Sequence, residues 1–259
     1  MIEFRNVSVI YNKNDDGEKI ALSDLSLTIE KGQWCNLLGQ NGSGKSTLLK
    51  LLAGELTPTY GGIFIDGRSI LNDSQAVRAR TFFFVEQDTR ANLVPSMTIE
   101  ENLIIAACTS GFPGFTLAKR KKRQDRIQEV LAKVDMGLER RIGTQVRSLS
   151  GGERQALVIA KALLLAAPVL LLDEFLAAMD PQAGPQLLGI VRNLALQEQL
   201  TVISVTHNLE HVFSDSQKKD RVVLLRKGKM HADRFIESIS IKWLSEQFEN
   251  VPVGAWGAV

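Results

Sequence analysis

Apolar and polar residues alternate from Ile2 to Tyr11, and that period of two predicts a half-buried strand. A polar stretch, Asn12 to Glu18 with Asp16-Gly17 inside it, then separates it from a second strand over Ile20 to Ile29, which makes an antiparallel opening. Shorter, more continuously apolar runs follow at Trp34–Leu38, Thr81–Val85, Val169–Leu172 and Thr201–Thr206, the signature of strands buried on both faces. Ile63-Phe64-Ile65 is a strand that ends in an Asp66-Gly67 turn, and Arg221–Leu225 with Lys227-Gly228-Lys229 predicts a closing hairpin. Helical patterns stand between these runs. Leu48 to Ala53 are strong helix formers with an apolar face. Thr98-x-x-Glu101 is a capping-box signature for a helix to about Cys108, and Gly111-Phe112-Pro113-Gly114 breaks it. Lys119-Arg120-Lys121-Lys122-Arg123 begins a second helix to about Val134. Further helices are expected over Ser150–Leu165, ended by Pro168, over Gln186–Gln197 and over Ile239–Phe248. From Asp88 to Leu149 only helix signals occur, which predicts a helical subdomain inserted in an α/β core, while Gly254–Val259 carries no pattern.

The chemistry is concentrated at Gly39-Gln40-Asn41-Gly42-Ser43-Gly44-Lys45-Ser46-Thr47. This run fits G-x-x-x-x-G-K-[ST], and it lies where that motif has meaning, between a short apolar strand and a helix. The glycines let the backbone curl its N–H groups around a polyphosphate. The helix that starts here points its positive end at the same anion. Lys45 supplies a point charge for the outer phosphates, and Ser46 a hydroxyl for magnesium.

Ligands of open α/β sheets bind beyond the carboxyl ends of the strands. One strand feeds the phosphate loop, one ends at Gln87, one at Asp173-Glu174 and one at His207; parallel neighbours would bring all four to one nucleotide. An apolar strand ending in a carboxylate suits Asp173 to magnesium, and Glu174 to orienting or deprotonating water. His211 stands four residues after His207, but no further ligand with zinc spacing accompanies the pair. Leu149-Ser150-Gly151-Gly152-Glu153 is an ordinary capping box by Ser-x-x-Glu, yet two glycines in a first turn cost helix stability, and the exposed N–H groups form an anion site.

Bulk properties narrow the partners. The 259 residues carry a net charge of +2 with 23% charged side chains, which is not the footprint of a nucleic-acid binder. The basic run at Lys119–Arg123 reads as a solvated helix face, with lipid head groups or an acidic partner as the alternative. Cys35 and Cys108 lack metal spacing and are expected as reduced thiols in a cytosolic protein. No basic stretch followed by an apolar one opens the chain, so no signal peptide is expected. The longest apolar tract, Ala156 to Leu172, contains Lys161 and Pro168 and reads as helix then strand rather than as a membrane span.

The order of these motifs resembles the ATP-binding cassette (ABC) ATPases over about residues 1 to 235. Gly39–Thr47 is similar to their Walker A loop, Gln87 to the Q-loop glutamine, Leu149–Glu153 to the signature, and Val169–Asp173 with Glu174 to Walker B. Asp180 is similar to the D-loop aspartate, His207 to the switch histidine, and Tyr11 to the aromatic that stacks on adenine. The resemblance implies an α/β P-loop NTPase fold with a RecA-like core, an antiparallel β-subdomain and a helical subdomain inserted over about 89–165; residues 236–259 would form a C-terminal helix and tail. It implies ATP and Mg2+ as ligands, with Ser46, Gln87 and Asp173 around the metal. It also implies a head-to-tail homodimer in which Ser150, Gly151, Gly152, Glu153 and Asp180 of one copy approach the ATP of the other. Separate transmembrane permease subunits would dock on the helical subdomain near Gln87, at the cytoplasmic face of the membrane.

Arg78-Ala79-Arg80 through Gln87-Asp88, Pro95 through Leu103, and Val205-Thr206-His207-Asn208-Leu209 resemble ATPases that work with solute-binding proteins in tryptophan or tyrosine uptake. Import of an amino acid is therefore expected, with export of a lipid, lipoprotein or drug as the alternative. A non-transport cassette ATPase or a non-hydrolysing regulatory subunit is the other class. Three positions depart from the family pattern: Phe175-Leu176 after the glutamate, Ala177-Ala178-Met179 before Asp180, and Glu153 where glutamine is commoner. They predict active but slowed hydrolysis.

Overall fold

The computed structural model describes residues 1–109, 117–177, 179–180, 183–213 and 216–249. The break expected at Gly111-Phe112-Pro113-Gly114, the Ala178 departure and the Gly254–Val259 tail lie outside the described residues. In chain order the first elements are β1 (Ile2–Tyr11), β2 (Lys19–Ile29), β3 (Trp34–Leu38), α1 (Lys45–Ala53), β4 (Tyr60–Ile65), β5 (Arg68–Ser69) and α2 (Gln75–Arg78). Then come β6 (Phe82–Val85), α3 (Ile99–Thr109), α4 (Leu117–Val134), α5 (Gly151–Leu165), β7 (Val169–Asp173) and α6 (Ala183–Gln197). The chain closes with β8 (Thr201–Val205), α7 (Leu209–Phe213), β9 (Arg221–Arg226), β10 (Lys229–Phe235) and α8 (Ile241–Glu249). It divides into two compact units, Met1–Arg78 with Thr201–Val259, and Ala79–Leu200.

In the first unit, the alternation along β1 and β2 builds an antiparallel sheet of order β2-β1-β4-β5, with Phe4, Val7, Val9, Leu22, Leu25 and Leu27 on its buried side. The fully buried β3 has no polar face, and it lies parallel to both β8 and β9, with Leu37 opposite Val205 and Leu38 opposite Leu224. β10 returns antiparallel to β9 through Lys227-Gly228, both at positive φ, as a two-residue hairpin turn requires. Behind the end of β3, Leu38 shares an apolar cluster with Val212 of α7, Val222 and Leu224 of β9 and Leu244 of α8. α8 begins at Ile241 rather than Ile239 because the Ser240 hydroxyl accepts the Trp243 N–H at 3.1 Å.

Arg78 is almost fully buried and fastens α1 from behind. Its guanidinium donates to three carbonyls, Leu51 O at the end of α1, Ile70 O at 2.8 Å and Asp73 O at 3.3 Å. Arg78→Met removes every one of these donors, and we expect the urea-unfolding free energy to fall by about 2–3 kcal/mol. A loss under about 0.5 kcal/mol would show that water replaces the guanidinium at no cost.

In the second unit, β6 and β7 pair in parallel, Val85 opposite Leu172. α5 is buried on nearly every face and packs against α3, α4 and α6. The box expected for α3 forms in both directions: the Thr98 hydroxyl accepts the Glu101 N–H at 3.1 Å, and the Glu101 carboxylate accepts the Thr98 N–H at 2.7 Å. α6 starts at Ala183, ahead of the expected Gln186, since Pro185 sits in its first turn, where no intrahelical N–H is needed. Among the described residues no helix is long and apolar enough to cross a membrane.

Candidate functional site

The first unit carries the anion-binding part. β3 ends at Leu38, and the chain turns at Gly39 with φ 151°. A Cβ on Gly39 would stand 2.3 Å from Leu225 O of β9, and one on Gly44 (φ 105°) 2.6 Å from Ala21 O of β2. Glycine is required at both, because backbone closes on them. The hairpin tip completes the sleeve: the Gly228 N–H donates to Ser43 O at 3.1 Å and the Ser23 N–H to Gly228 O at 2.8 Å. Gln40 O accepts the Ser43 N–H at 3.1 Å, which closes the tight turn through exposed Asn41 and Gly42.

Three observations within this loop fit a polyphosphate. Lys45, 5% exposed, rests its ammonium on Gly39 O at 2.7 Å and Gln40 O at 3.1 Å. α1 opens on Gly44 with neither a side-chain cap nor an acid in its first turn, so its own residues do not balance the positive end of its dipole. The Ser43 hydroxyl is buried and has no hydrogen-bond partner among the described residues. Ser46 is exposed, and the Tyr11 hydroxyl lies 3.3 Å from Thr47 Oγ1, which brings the end of β1 to the loop. His207 follows β8, the strand next to β3, so it stands at the neighbouring carboxyl end. His211, whose pKa is lowered by burial, pairs with Asn208 Nδ2 at 3.3 Å, and the described residues contain no cluster of metal ligands.

The second unit collects the other groups. Gln87 lies just past the end of β6, Asp173 is the last residue of its partner β7 and Glu174 follows it, with Gln87 exposed and both acids half-buried. Glu174 has φ 48°, a conformation uncommon for a side-chain-bearing residue, and its carbonyl accepts the Ala177 N–H at 2.9 Å. Phe175, the residue that departs from the family pattern, is 3% exposed and serves the core.

Ser150 and Glu153 cap α5 reciprocally: the Glu153 N–H donates to Ser150 Oγ at 3.2 Å and the Ser150 N–H to Glu153 Oε2 at 2.8 Å. That backbone hydrogen bond from Ser150, reinforced by Arg141 at 2.9 Å, holds the Glu153 carboxyl below its ordinary pKa. Its carboxylate is thus engaged in the cap. Gly151 opens the helix, and Gly152 packs so closely that a Cβ would meet Met179 Cε at 3.1 Å. The exposed Asp180 follows, its carbonyl accepting the Gly184 N–H at 3.0 Å.

Two residues that sequence reading passed over hold the Gln87 segment. The Asn92 side chain accepts the Glu86 N–H at 3.4 Å and donates to Phe84 O at 2.9 Å, while Lys161 Nζ donates to Asn92 O at 2.5 Å. The only available signal was a lysine interrupting the apolar run of α5.

A protein-family model described as ABC transporter matches residues 22–177. The chain is 30% identical over 252 residues to the tyrosine transport ATP-binding protein of Clostridioides difficile, covering 96% of this chain and 99% of that protein. It is 32% identical over 239 residues to the energy-coupling factor transporter ATP-binding protein EcfA1 of Geobacillus kaustophilus, covering 92% and 80%. Among solved structures, the dimeric post-hydrolysis state of the ATP-binding cassette MJ0796, bound to ADP and Pi, superposes with a TM-score of 0.77 at 26% identity, over 91% of this chain and 99% of that one.

Proposed function

The chain belongs to the ABC transporter family as an ATP-binding, ATP-hydrolysing subunit, and from that premise we propose that it powers uptake of a small organic solute, an amino acid in the first instance. The observation that carries the amino-acid reading is the end-to-end similarity to the tyrosine transport protein, and similarity to a methionine import ATP-binding protein, 33% identical over 235 residues, supports uptake as the direction. The reading includes a homodimer, separate permease subunits at the cytoplasmic face of the membrane, and a solute-binding protein that delivers the cargo.

In this reading the Gly39–Thr47 loop holds the triphosphate, and Lys45 transfers its ammonium from the Gly39 and Gln40 carbonyls to the β- and γ-phosphate oxygens. The buried Ser43 hydroxyl gains a partner in a phosphate oxygen. Tyr11 offers its ring to the base. Ser46, Asp173 and Gln87 would hold magnesium, which neutralises charge on the phosphates. The Glu174 carboxylate accepts a proton from water as its oxygen bonds to the γ-phosphorus and the bond to the β-phosphate oxygen breaks. His207 donates to the transferring phosphoryl group. In the dimer, Ser150, Gly151 and Gly152 offer N–H and hydroxyl donors to the γ-phosphate held by the other copy. Glu153 contributes by holding that turn in shape, and Asp180 lies across the dimer contact.

With ATP, Glu174→Gln is expected to convert a monomer into a dimer, because the sandwich closes and does not reopen. Light scattering reads the doubled mass; an unchanged mass with ATP bound would count against the sandwich.

A further inference from the structure

α5 carries the capping turn of Ser150 at one end, and one of its faces addresses the segment after β6. Arg154 and Lys161 lie about two turns apart on that face. Arg154 bears electrostatically on Asp88, helping to hold that carboxyl below its ordinary range behind the larger effect of Arg90. Lys161 is half-buried and gives its ammonium to Asn92 O at 2.5 Å. Asn92 in turn ties back to both sides of the strand end, through Phe84 O and the Glu86 N–H. Gln87 is the next residue. Burial lowers the pKa of Lys161, so its charged form carries a desolvation cost. A methionine would fill the same space without that cost. What the charge adds is a directed hydrogen bond to Asn92 O, which fixes where that residue lies.

We propose that Lys161 is a positioning residue that fastens the Gln87 segment to α5, so that Gln87 and the Ser150 turn move as one piece. The inference rests on the roles proposed above for Gln87 and Ser150. Lys161 touches neither nucleotide nor water; it acts through Asn92. The functional consequence is that a displacement at the Gln87 segment is carried along α5 to the Ser150–Gly152 turn instead of being absorbed in the loop.

The test compares Lys161→Met, Lys161→Arg, Gln87→Ala and the double variant Gln87→Ala/Lys161→Met by phosphate release across ATP concentrations. Lys161→Met is expected to lower kcat by roughly 10-fold with KM for ATP changed less than about 2-fold, and Lys161→Arg to restore most of the rate. The double variant is expected to lose no more than the worse single one, because both cut the same link. Losses that multiply, or a Lys161→Met rate within about 2-fold of the parent, would overturn the proposal. If Gln87→Ala alone leaves kcat unchanged, the role assigned to Gln87 falls, and the inference with it. Should Lys161→Met fail to fold, Asn92→Ala cuts the bridge at its other end and is read against the same outcomes.

Discussion

Lys45→Ala is expected to weaken ATP binding by roughly 100- to 10,000-fold, two charge-assisted hydrogen bonds to phosphate at about 1.5–3 kcal/mol each being lost together. The fold should survive, because the Gly39 and Gln40 carbonyls that accept the ammonium lie in the loop, where the vacated space admits water to both. Titration calorimetry with ATP, alongside a thermal melt, separates the two effects. An affinity within about 3-fold of the parent, with the melt unchanged, would mean that the loop's N–H groups alone hold the phosphates.

The second large effect is on turnover. Glu174→Gln keeps the size and hydrogen-bonding reach of the side chain, and glutamine tolerates φ 48° no worse than glutamate. It removes only the carboxylate that takes the water's proton. Phosphate release should drop by roughly 100- to 10,000-fold, while ATP affinity stays within about 3-fold. Equal rates for variant and parent would remove Glu174 from the chemistry and return attention to the departures at Phe175 and Ala177. The burial of Phe175 locates the first of these in the core, beside the acid rather than in its chemistry.

Much of the architecture was legible because it depends on short-range rules. The phosphate loop, the strands that deliver Gln87, Asp173 and His207, and the caps at Thr98 and Ser150 all announce themselves within a few residues. α7 was missed since five residues show no helical period; its start is set by Asn208 Oδ1 accepting the Glu210 N–H at 2.8 Å. α2 is shorter still, and its Arg78 looks like a surface charge until the carbonyls around it are seen. Glu153 reads as the capping acid from Ser-x-x-Glu alone, and its carboxylate is in the cap; the added hold of Arg141 was not legible, because that arginine stands 12 residues away in an irregular stretch.

Residues 39–47 and the acids that end β7 thus declared on their own what ligand this chain takes, because a polyphosphate demands glycines, a lysine and a hydroxyl at fixed spacing. Folding alone decided what holds those residues still. The Gly228 tip against Ser43 O, Arg78 behind α1 and Lys161 under Asn92 are meetings between positions 27 to 185 residues apart. Hydrogen bonds of that kind have no local pattern to read, since each partner is ordinary in its own stretch and acquires its role only when the chain brings the other to it.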